Sequence, residues 1–201
     1  VMFIMDNINY EDLMSFGGKN IKYLLENSAL GLMNTNTGSS YTDSNAYATI
    51  GAGGYAVSSA FGHYSGGYGD LFIREPFNVI YKRNTAKNMN EDNIVNIDVA
   101  GLRRNNERLN PPVKMGMLGS RLKEHGLKTA IIGNESRTFE EISVNAALIT
   151  MDSDGKTDFG KVDDSLLVKD PYAPFGLRSN YDAIYDKYID IKDATHFIVI
   201  Q

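Results

Sequence analysis

The sequence contains no cysteine among its 201 residues. Disulfide bonds, thiolate metal sites and a cysteine nucleophile are therefore excluded. The absence does not fix the cellular compartment, because cysteine-free chains suit a bacterial cell exterior and also occur in the cytosol.

Two further features are missing, namely runs of basic residues and long apolar stretches. The formal net charge is −5, so we expect no nucleic-acid partner. No stretch approaches the roughly 20 apolar residues that a membrane-spanning helix requires, so we expect no insertion of this chain into a bilayer. A signal peptide is not visible either.

The composition is that of a folded domain, with 42% hydrophobic and 22% charged residues. We expect one domain over residues 1–201 with a substantial core. The chain starts on an apolar run at residues 1–5 and stops on another at residues 197–200. We interpret this as a fragment of a longer protein.

Strand and helix patterns alternate along the chain, which predicts an α/β fold with a mostly parallel sheet covered on both faces. Three continuous apolar runs, at residues 1–5, 128–132 and 197–200, are expected to be central strands of one sheet. The other predicted strands are 29–33, 93–97 and 144–151. The predicted helices are 10–27 with a break at the two glycines 17 and 18, and 45–55, 74–87, 99–109, 118–125 and 181–188.

A candidate site combines two segments. Asp6 follows the first apolar run, and a turn rich in hydroxyl groups, which includes Thr42, Ser44 and Asn45, precedes a predicted helix. A carboxylate at the end of a strand can bind a metal ion, and a hydroxyl at a helix N-terminus can act as a nucleophile where anions are stabilised. The alternative is that these residues only cap helices.

The segments resemble the alkaline phosphatase superfamily, which includes phosphodiesterases, sulfatases and cofactor-independent phosphoglycerate mutases. Asp6 matches the first metal-ligand position, the Thr-Asp-Ser-Asn-Ala-Tyr-Ala-Thr segment at residues 42–49 is similar to the nucleophile segment, and Ile-Gly-Ala-Gly at 50–53 is similar to the mutases. The resemblance implies a truncated three-layer α/β/α domain, a divalent metal (zinc, manganese or magnesium) and a small phosphorylated or sulfated substrate.

A closer likeness is to large bacterial membrane-anchored proteins that carry such a domain outside the cell. Residues 29–34, 46–53, 116–134 and 146–152 are similar to their pattern. This likeness implies an extracytoplasmic location in a membrane-anchored parent, with a cytoplasmic location as the alternative. It covers most of the chain and indicates a fold more than an activity.

The sequence departs from the superfamily in two respects. The Asp-x-x-Gly-His and Asp-His motifs that complete the metal site are missing from the sequence, so we expect the fragment to lack part of the metal shell or the metal itself. The nucleophile also has two candidates, because literal matching selects Ser44, whereas the phosphodiesterase pattern selects Thr42 together with Asn45. Alignment on the mutase segment selects Asp43, which cannot act in the same way.

Two hypotheses for function follow from these observations. In the first, the full-length parent is a metal-dependent hydrolase or phosphotransferase acting on phosphate or sulfate esters. In the second, the domain is a non-catalytic binding module on the same fold.

Two further features bear on the site. Of the three histidines, His63 is the one expected to neighbour it. The Asp-Ser-Asp-Gly segment at 152–155 is expected to be a polar turn rather than a calcium loop, because the pattern lacks its final glutamate.

Overall fold

The computed structural model describes residues 1–6, 8–31, 33–139 and 141–201. Within these ranges the chain forms a mixed α/β structure, as predicted. The helices are α1 (Tyr10–Ser15), α2 (Lys19–Glu26), α3 (Asp43–Ala52), α4 (Phe77–Thr85), α5 (Val99–Glu107), α6 (Met117–Glu124), α7 (Ala147–Thr150) and α8 (Tyr181–Ile191). The strands are β1 (Met2–Phe3), β2 (Ser65–Gly66), β3 (Leu71–Phe72), β4 (Glu75–Pro76), β5 (Ile94–Asn96), β6 (Thr129–Ile132), β7 (Lys156–Thr157), β8 (Phe159–Lys161), β9 (Leu167–Lys169), β10 (Leu177–Ser179) and β11 (Phe197–Ile200).

The central sheet has four parallel strands in the order β1-β11-β6-β8. The three apolar runs at residues 1–5, 128–132 and 197–200 therefore share one sheet, which confirms that prediction. The parallel arrangement is confined to this sheet in the described part of the chain. Three smaller sheets, β2-β5-β7, β3-β4 and β9-β10, are antiparallel.

The two inner strands are buried on both faces. Ile131 of β6 and Val199 of β11 belong to a core that includes residues of α3 and α7. Their neighbours Ile132 and Ile198 belong to a second core, together with Ile191 of α8. Burial on both faces explains why these strands have continuous apolar sequences rather than alternating ones.

The prediction that the first run is a central strand is wrong. In the described part of the chain β1 lies at the edge of the sheet and pairs only with β11. Met2 and Ile4 pack against the α3 and α7 core, but Val1, Phe3 and Met5 are 61%, 67% and 54% exposed. An apolar run shows that a strand can be buried. It does not show whether helices cover both faces of that strand.

A second prediction, a strand at residues 144–151, is also wrong. The segment forms the short helix α7, whose four residues are all buried. A short apolar run does not distinguish a buried strand from a buried helical turn. The run predicted as a strand at 29–33 has no strand among its described residues, and Leu32 lies outside them. The helical segment at 10–27 with a break at Gly17 and Gly18 is confirmed by α1 and α2.

Helices of membrane-spanning length and apolarity do not occur in the described ranges. The longest helix, α8, has 11 residues.

Candidate functional site

The candidate site lies at one edge of the central sheet, where parallel strands end together. Asp6 follows β1, Gln201 follows β11, and Glu135 follows β6 by three residues. Because these strands are parallel, their carboxyl ends point to the same edge, which is the usual place for ligands in α/β sheets.

Helix α3 begins at this edge. Thr42 is its N-cap, with an extended backbone and a side-chain oxygen that accepts a hydrogen bond from the Asn45 amide at 3.2 Å. The helix ends at Gly53, which has a left-handed φ of 65°. In its last turn Gly51 packs so closely on α7 that a Cβ atom there would lie 2.0 Å from the Leu148 carbonyl oxygen. This close packing fixes α3, and with it the start of the helix, relative to the sheet.

A hydrogen-bond network joins the two carboxylates at the sheet edge. The Gln201 side-chain amide donates to Asp6 Oδ2 at 2.8 Å and to Glu135 Oε2 at 3.0 Å. The Tyr47 hydroxyl, one turn into α3, donates to Asp6 Oδ1. Gln201 therefore stands between two acidic side chains and supplies a donor to each.

The network continues from Glu135 to Ser44. Glu135 Oε1 accepts hydrogen bonds from the backbone amide of Asn145 at 2.6 Å and from the hydroxyl of Ser143 at 3.2 Å. The Ser44 hydroxyl donates to the side-chain oxygen of Asn145. Asp6 and Ser44 thus lie in one network at the same edge, separated by three intermediate residues.

Burial and neighbouring charges alter the proton affinity of two groups in this network. Burial raises the pKa of the Glu135 carboxyl above its usual range, the hydrogen bond from the Asn145 amide opposes this, and the Asp6 charge adds to the rise. Burial also raises the pKa of the Tyr47 hydroxyl, and its hydrogen bond to Asp6 raises it further. Tyr47 therefore remains a protonated donor at neutral pH, and Glu135 gains a proton more readily than a solvent-exposed glutamate.

The structure separates the three residues predicted at the turn. Ser44 is half-buried and its hydroxyl belongs to the network, whereas Thr42 is exposed and caps the helix. Asn45 is buried, with its side-chain nitrogen 2.8 Å from the Ser40 carbonyl and its side-chain oxygen 2.7 Å from the Ser58 amide. Thr42 therefore caps α3, as the alternative had it, and Asn45 joins the Ser40 and Ser58 loops to the helix.

Sequence reasoning missed four members of the network, namely Tyr47, Glu135, Asn145 and Gln201. Glu135 carries the same signal that singled out Asp6, an acid just after an apolar strand, and could have been found by applying it to β6. Gln201 follows a strand too, but an amide gives a weaker signal than an acid. Tyr47 and Asn145 enter the site through tertiary packing, which leaves no local pattern in the sequence.

The histidines lie outside the network. His63 is close to it along the backbone, because its carbonyl accepts from the Val144 amide at 2.8 Å, but its ring packs on Tyr64 with centroids 3.9 Å apart. His125 ends α6. His196 Nδ1 accepts from the Lys128 amide at 3.1 Å, which gives it a structural contact at the opposite, N-terminal end of β11.

The segment at residues 152–155 forms a turn closed by its own side chain. Asp152 Oδ1 accepts from the amides of Asp154 and Lys156 at 2.9 Å and 3.1 Å, and its other oxygen accepts from Lys123 at 2.5 Å. These contacts confirm the prediction of a polar turn.

The resemblance implies a divalent metal, for which Asp6 and Glu135 are the candidate ligands at this edge. Across residues 1–6, 8–31, 33–139 and 141–201, no three acidic, histidine or cysteine side chains are grouped to hold a metal ion. Asp6 and Glu135 supply carboxylate oxygens alone, which suit hard cations such as magnesium or manganese better than zinc. Magnesium commonly binds one or two carboxylates and completes its shell with water and substrate oxygens. The described residues therefore offer two carboxylates for one such ion and lack the further ligands that a two-metal site needs.

Comparisons with protein-family models, curated proteins and solved structures give no significant match for this chain. The resemblance to the alkaline phosphatase superfamily therefore remains a prediction from the sequence.

Proposed function

We propose that this chain is part of a three-layer α/β/α, alkaline phosphatase-like domain whose parent protein hydrolyses or transfers phosphate or sulfate esters. One observation carries the proposal. The Asp6 carboxylate, the Ser44 hydroxyl and the start of α3 lie at one sheet edge and are linked by hydrogen bonds through Gln201, Glu135 and the backbone and side chain of Asn145. In this proposal the parent is membrane-anchored and the domain lies outside the cytoplasm.

The acidic side chains have the first function in this proposal. Asp6 and Glu135 would hold a hard divalent cation, with Asp6 the more exposed of the two. When bound, such an ion supplies Lewis acidity, which polarises a phosphoryl or sulfuryl oxygen and makes a nearby hydroxyl easier to deprotonate. Gln201 would orient both carboxylates through its two donated hydrogen bonds.

Ser44 is the hydroxyl that the geometry favours as nucleophile. It lies in the first turn of α3, where unpaired backbone amides stabilise negative charge on a transferred group. Asn145 accepts the hydrogen bond from the Ser44 hydroxyl, and an amide oxygen is too weak a base to remove that proton. The hydrogen-bond partner of Ser44 is therefore not its base, and the Glu135 carboxyl bonds the Asn145 backbone amide rather than the Ser44 hydroxyl.

Manganese binding tests this proposal directly. Water-proton relaxation should show weak binding, with a Kd on the order of millimolar, since two carboxylates leave much of the shell to water. Asp6→Asn and Glu135→Gln should each abolish it. Asp190→Asn is the matched control, because Asp190 pairs with Lys187 on the exposed surface. Manganese binding that survives both site substitutions would overturn the assignment of these ligands.

Hydrolysis of nitrophenyl phosphate monoesters and diesters tests the activity. With added zinc, manganese or magnesium this chain should show little or no turnover, because a two-metal displacement needs more ligands than the described residues provide. Robust turnover lost in both Asp6→Ala and Ser44→Ala would confirm the site and refute the missing-ligand argument. Turnover lost in Thr42→Ala but retained in Ser44→Ala would identify the other hydroxyl as the nucleophile.

A second candidate is a non-catalytic binding module on the same fold. The observation that favours it is that every oxygen of the Asp6 and Glu135 carboxylates already accepts a hydrogen bond from a protein donor. Such a network is complete without a metal ion. Unchanged manganese relaxation in the wild-type chain, with and without phosphate, would favour this function over the first.

A further inference from the structure

We propose that α2 is a hinged strap that closes over the exposed face of β1. The proposal rests on two apolar surfaces of the same chain, neither of which belongs to a hydrophobic core of the described residues, and is independent of the proposed function.

The first surface is one face of the edge strand. Val1, Phe3 and Met5 alternate with Met2 and Ile4 and are all more than half exposed. The register places Phe3 opposite Ile200 of β11. Ile200 belongs to the core on the side of the sheet covered by α8, so α8 covers the inner strands and leaves the same face of β1 bare.

The second surface is a stripe along α2. At 100° per residue, Ile21, Leu24 and Leu25 fall on one side of this helix, while Lys22 and Glu26 form an ion pair on the other at 4.0 Å. None of the residues of α2 is fully buried: Ile21 and Leu25 are half-buried, and Leu24 is 55% exposed. The hydrophobic cores contain no described residue between Ile8 and Gly31.

The chain connects the two surfaces and provides a hinge. An amphipathic helix is stabilised mainly by packing its apolar face, and a parallel sheet is normally covered on both faces. Gly17, where a Cβ atom would meet nothing within 4 Å, separates α1 from α2. Outside α1, the nine residues 4–9 and 16–18 can span about 30 Å when extended, at roughly 3.3 Å each. That reach exceeds the ~10 Å spacing of packed layers.

Closure would fix the end of β1, which carries Asp6 three residues after Phe3. The strap would therefore order the more exposed of the two carboxylates at the sheet edge. The other described helices α3 and α7 pack against the opposite face of the sheet, so closure requires no rearrangement of that core.

Cysteine cross-linking tests the strap, and the chain suits it because its natural sequence has no thiol. The double variant Phe3→Cys, Leu24→Cys is oxidised at low micromolar concentration and compared with Phe3→Cys, Glu26→Cys. All three positions are exposed, so the substitutions leave the core intact. In both pairs nearly the same number of residues separates the two thiols. Oxidation in urea therefore gives the rate of disulfide formation that the connecting chain alone allows.

In native buffer the Leu24 pair should form an intrachain disulfide roughly tenfold faster than the Glu26 pair, since docking raises the effective concentration of one thiol but not of the other. A thiol reagent should also label Leu24→Cys more slowly than Glu26→Cys. Equal native rates for the two pairs would overturn the proposal. A disulfide that joins two chains would overturn it too, because the face of β1 would then be covered by a second copy.

Discussion

Replacing Gln201 by glutamate tests whether two carboxylates are really held against the residue after β11. The wild-type side chain donates from one nitrogen to Asp6 at 2.8 Å and to Glu135 at 3.0 Å. The substitution Gln201→Glu keeps the shape of the side chain and turns this donor into a third acidic group. Two attractive contacts then become two like-charge contacts.

The size of the effect has an upper bound. Like charges 4 Å apart repel by about 1 kcal/mol at the dielectric constant of water and by about 4 kcal/mol at an effective value of 20. One carboxyl can escape this by taking up a proton, which for a glutamate of ordinary pKa costs about 4 kcal/mol at pH 7 and about 1 kcal/mol at pH 5. We therefore expect Gln201→Glu to lower the free energy of unfolding by up to about 4 kcal/mol at pH 7.

The pH dependence has a definite sign. In the folded variant the pKa of the shared proton lies above its value in the unfolded chain, so the folded state binds more protons. Stability is therefore greatest below the unfolded pKa and is lost as the pH rises through the folded pKa. The destabilisation by Gln201→Glu should shrink to about 1 kcal/mol at pH 5.

Urea unfolding at the two pH values is the measurement. Gln201→Met is the matched control, because it removes the donor without adding charge, and it should cost roughly 2 kcal/mol at both pH values through the lost hydrogen bonds. If Gln201→Glu is as stable as the wild type at pH 7, or is destabilised equally at both pH values, the proposed arrangement of the two carboxylates is wrong.

Two further predictions concern stability elsewhere in the fold. Gly51→Ala should lower the free energy of unfolding by about 1–3 kcal/mol, because its Cβ atom would lie 2.0 Å from the Leu148 carbonyl oxygen. Gly17→Ala is the control, because a Cβ atom at that position would meet no atom within 4 Å. Equal stability of the two variants would contradict the close packing of α3 on α7. Burial lowers the pKa of His63 below 6.5, so the unfolded chain binds a proton more readily and stability should decline as the pH falls through 6.5. His63→Gln should flatten this part of the pH profile in urea unfolding, and an unchanged profile would refute the contribution of His63.

The sequence predicted the inner part of the fold because burial on both faces leaves a clear pattern. The runs that became β6 and β11 are continuous and apolar, and each lies between helices on both sides of the sheet. The same pattern failed at β1, which has equally apolar residues but lies at the edge. The hydrophobicity of a segment shows that it can be buried. Whether helices cover both faces of the strand depends on where those helices pack.

The candidate site was predictable to a similar extent. Asp6 and Ser44 could be singled out because strand ends and helix starts can be recognised locally, and both lie in the hydrogen-bond network at one sheet edge. Tyr47 and Asn145 could not be found in this way. Each reaches the site because α3 and the segment before α7 pack on the sheet, and the predicted strand at residues 144–151 had concealed that packing.

The two candidate functions differ in what stands between Asp6 and Glu135. In the binding module the Gln201 amide is the permanent occupant of that position, and its two hydrogen bonds complete the network. In the hydrolase a cation competes for the same carboxylates. Gln201→Glu removes the competing amide and adds a third carboxylate oxygen donor, so it should favour a hard cation over protein donors. If the parent protein is a hydrolase, manganese should restore part of the stability that Gln201→Glu loses at pH 7. The gain should grow with the logarithm of the manganese concentration above the Kd. An unfolding midpoint of Gln201→Glu that manganese leaves unchanged would count against the hydrolase, because even three neighbouring carboxylates would then fail to bind a hard cation.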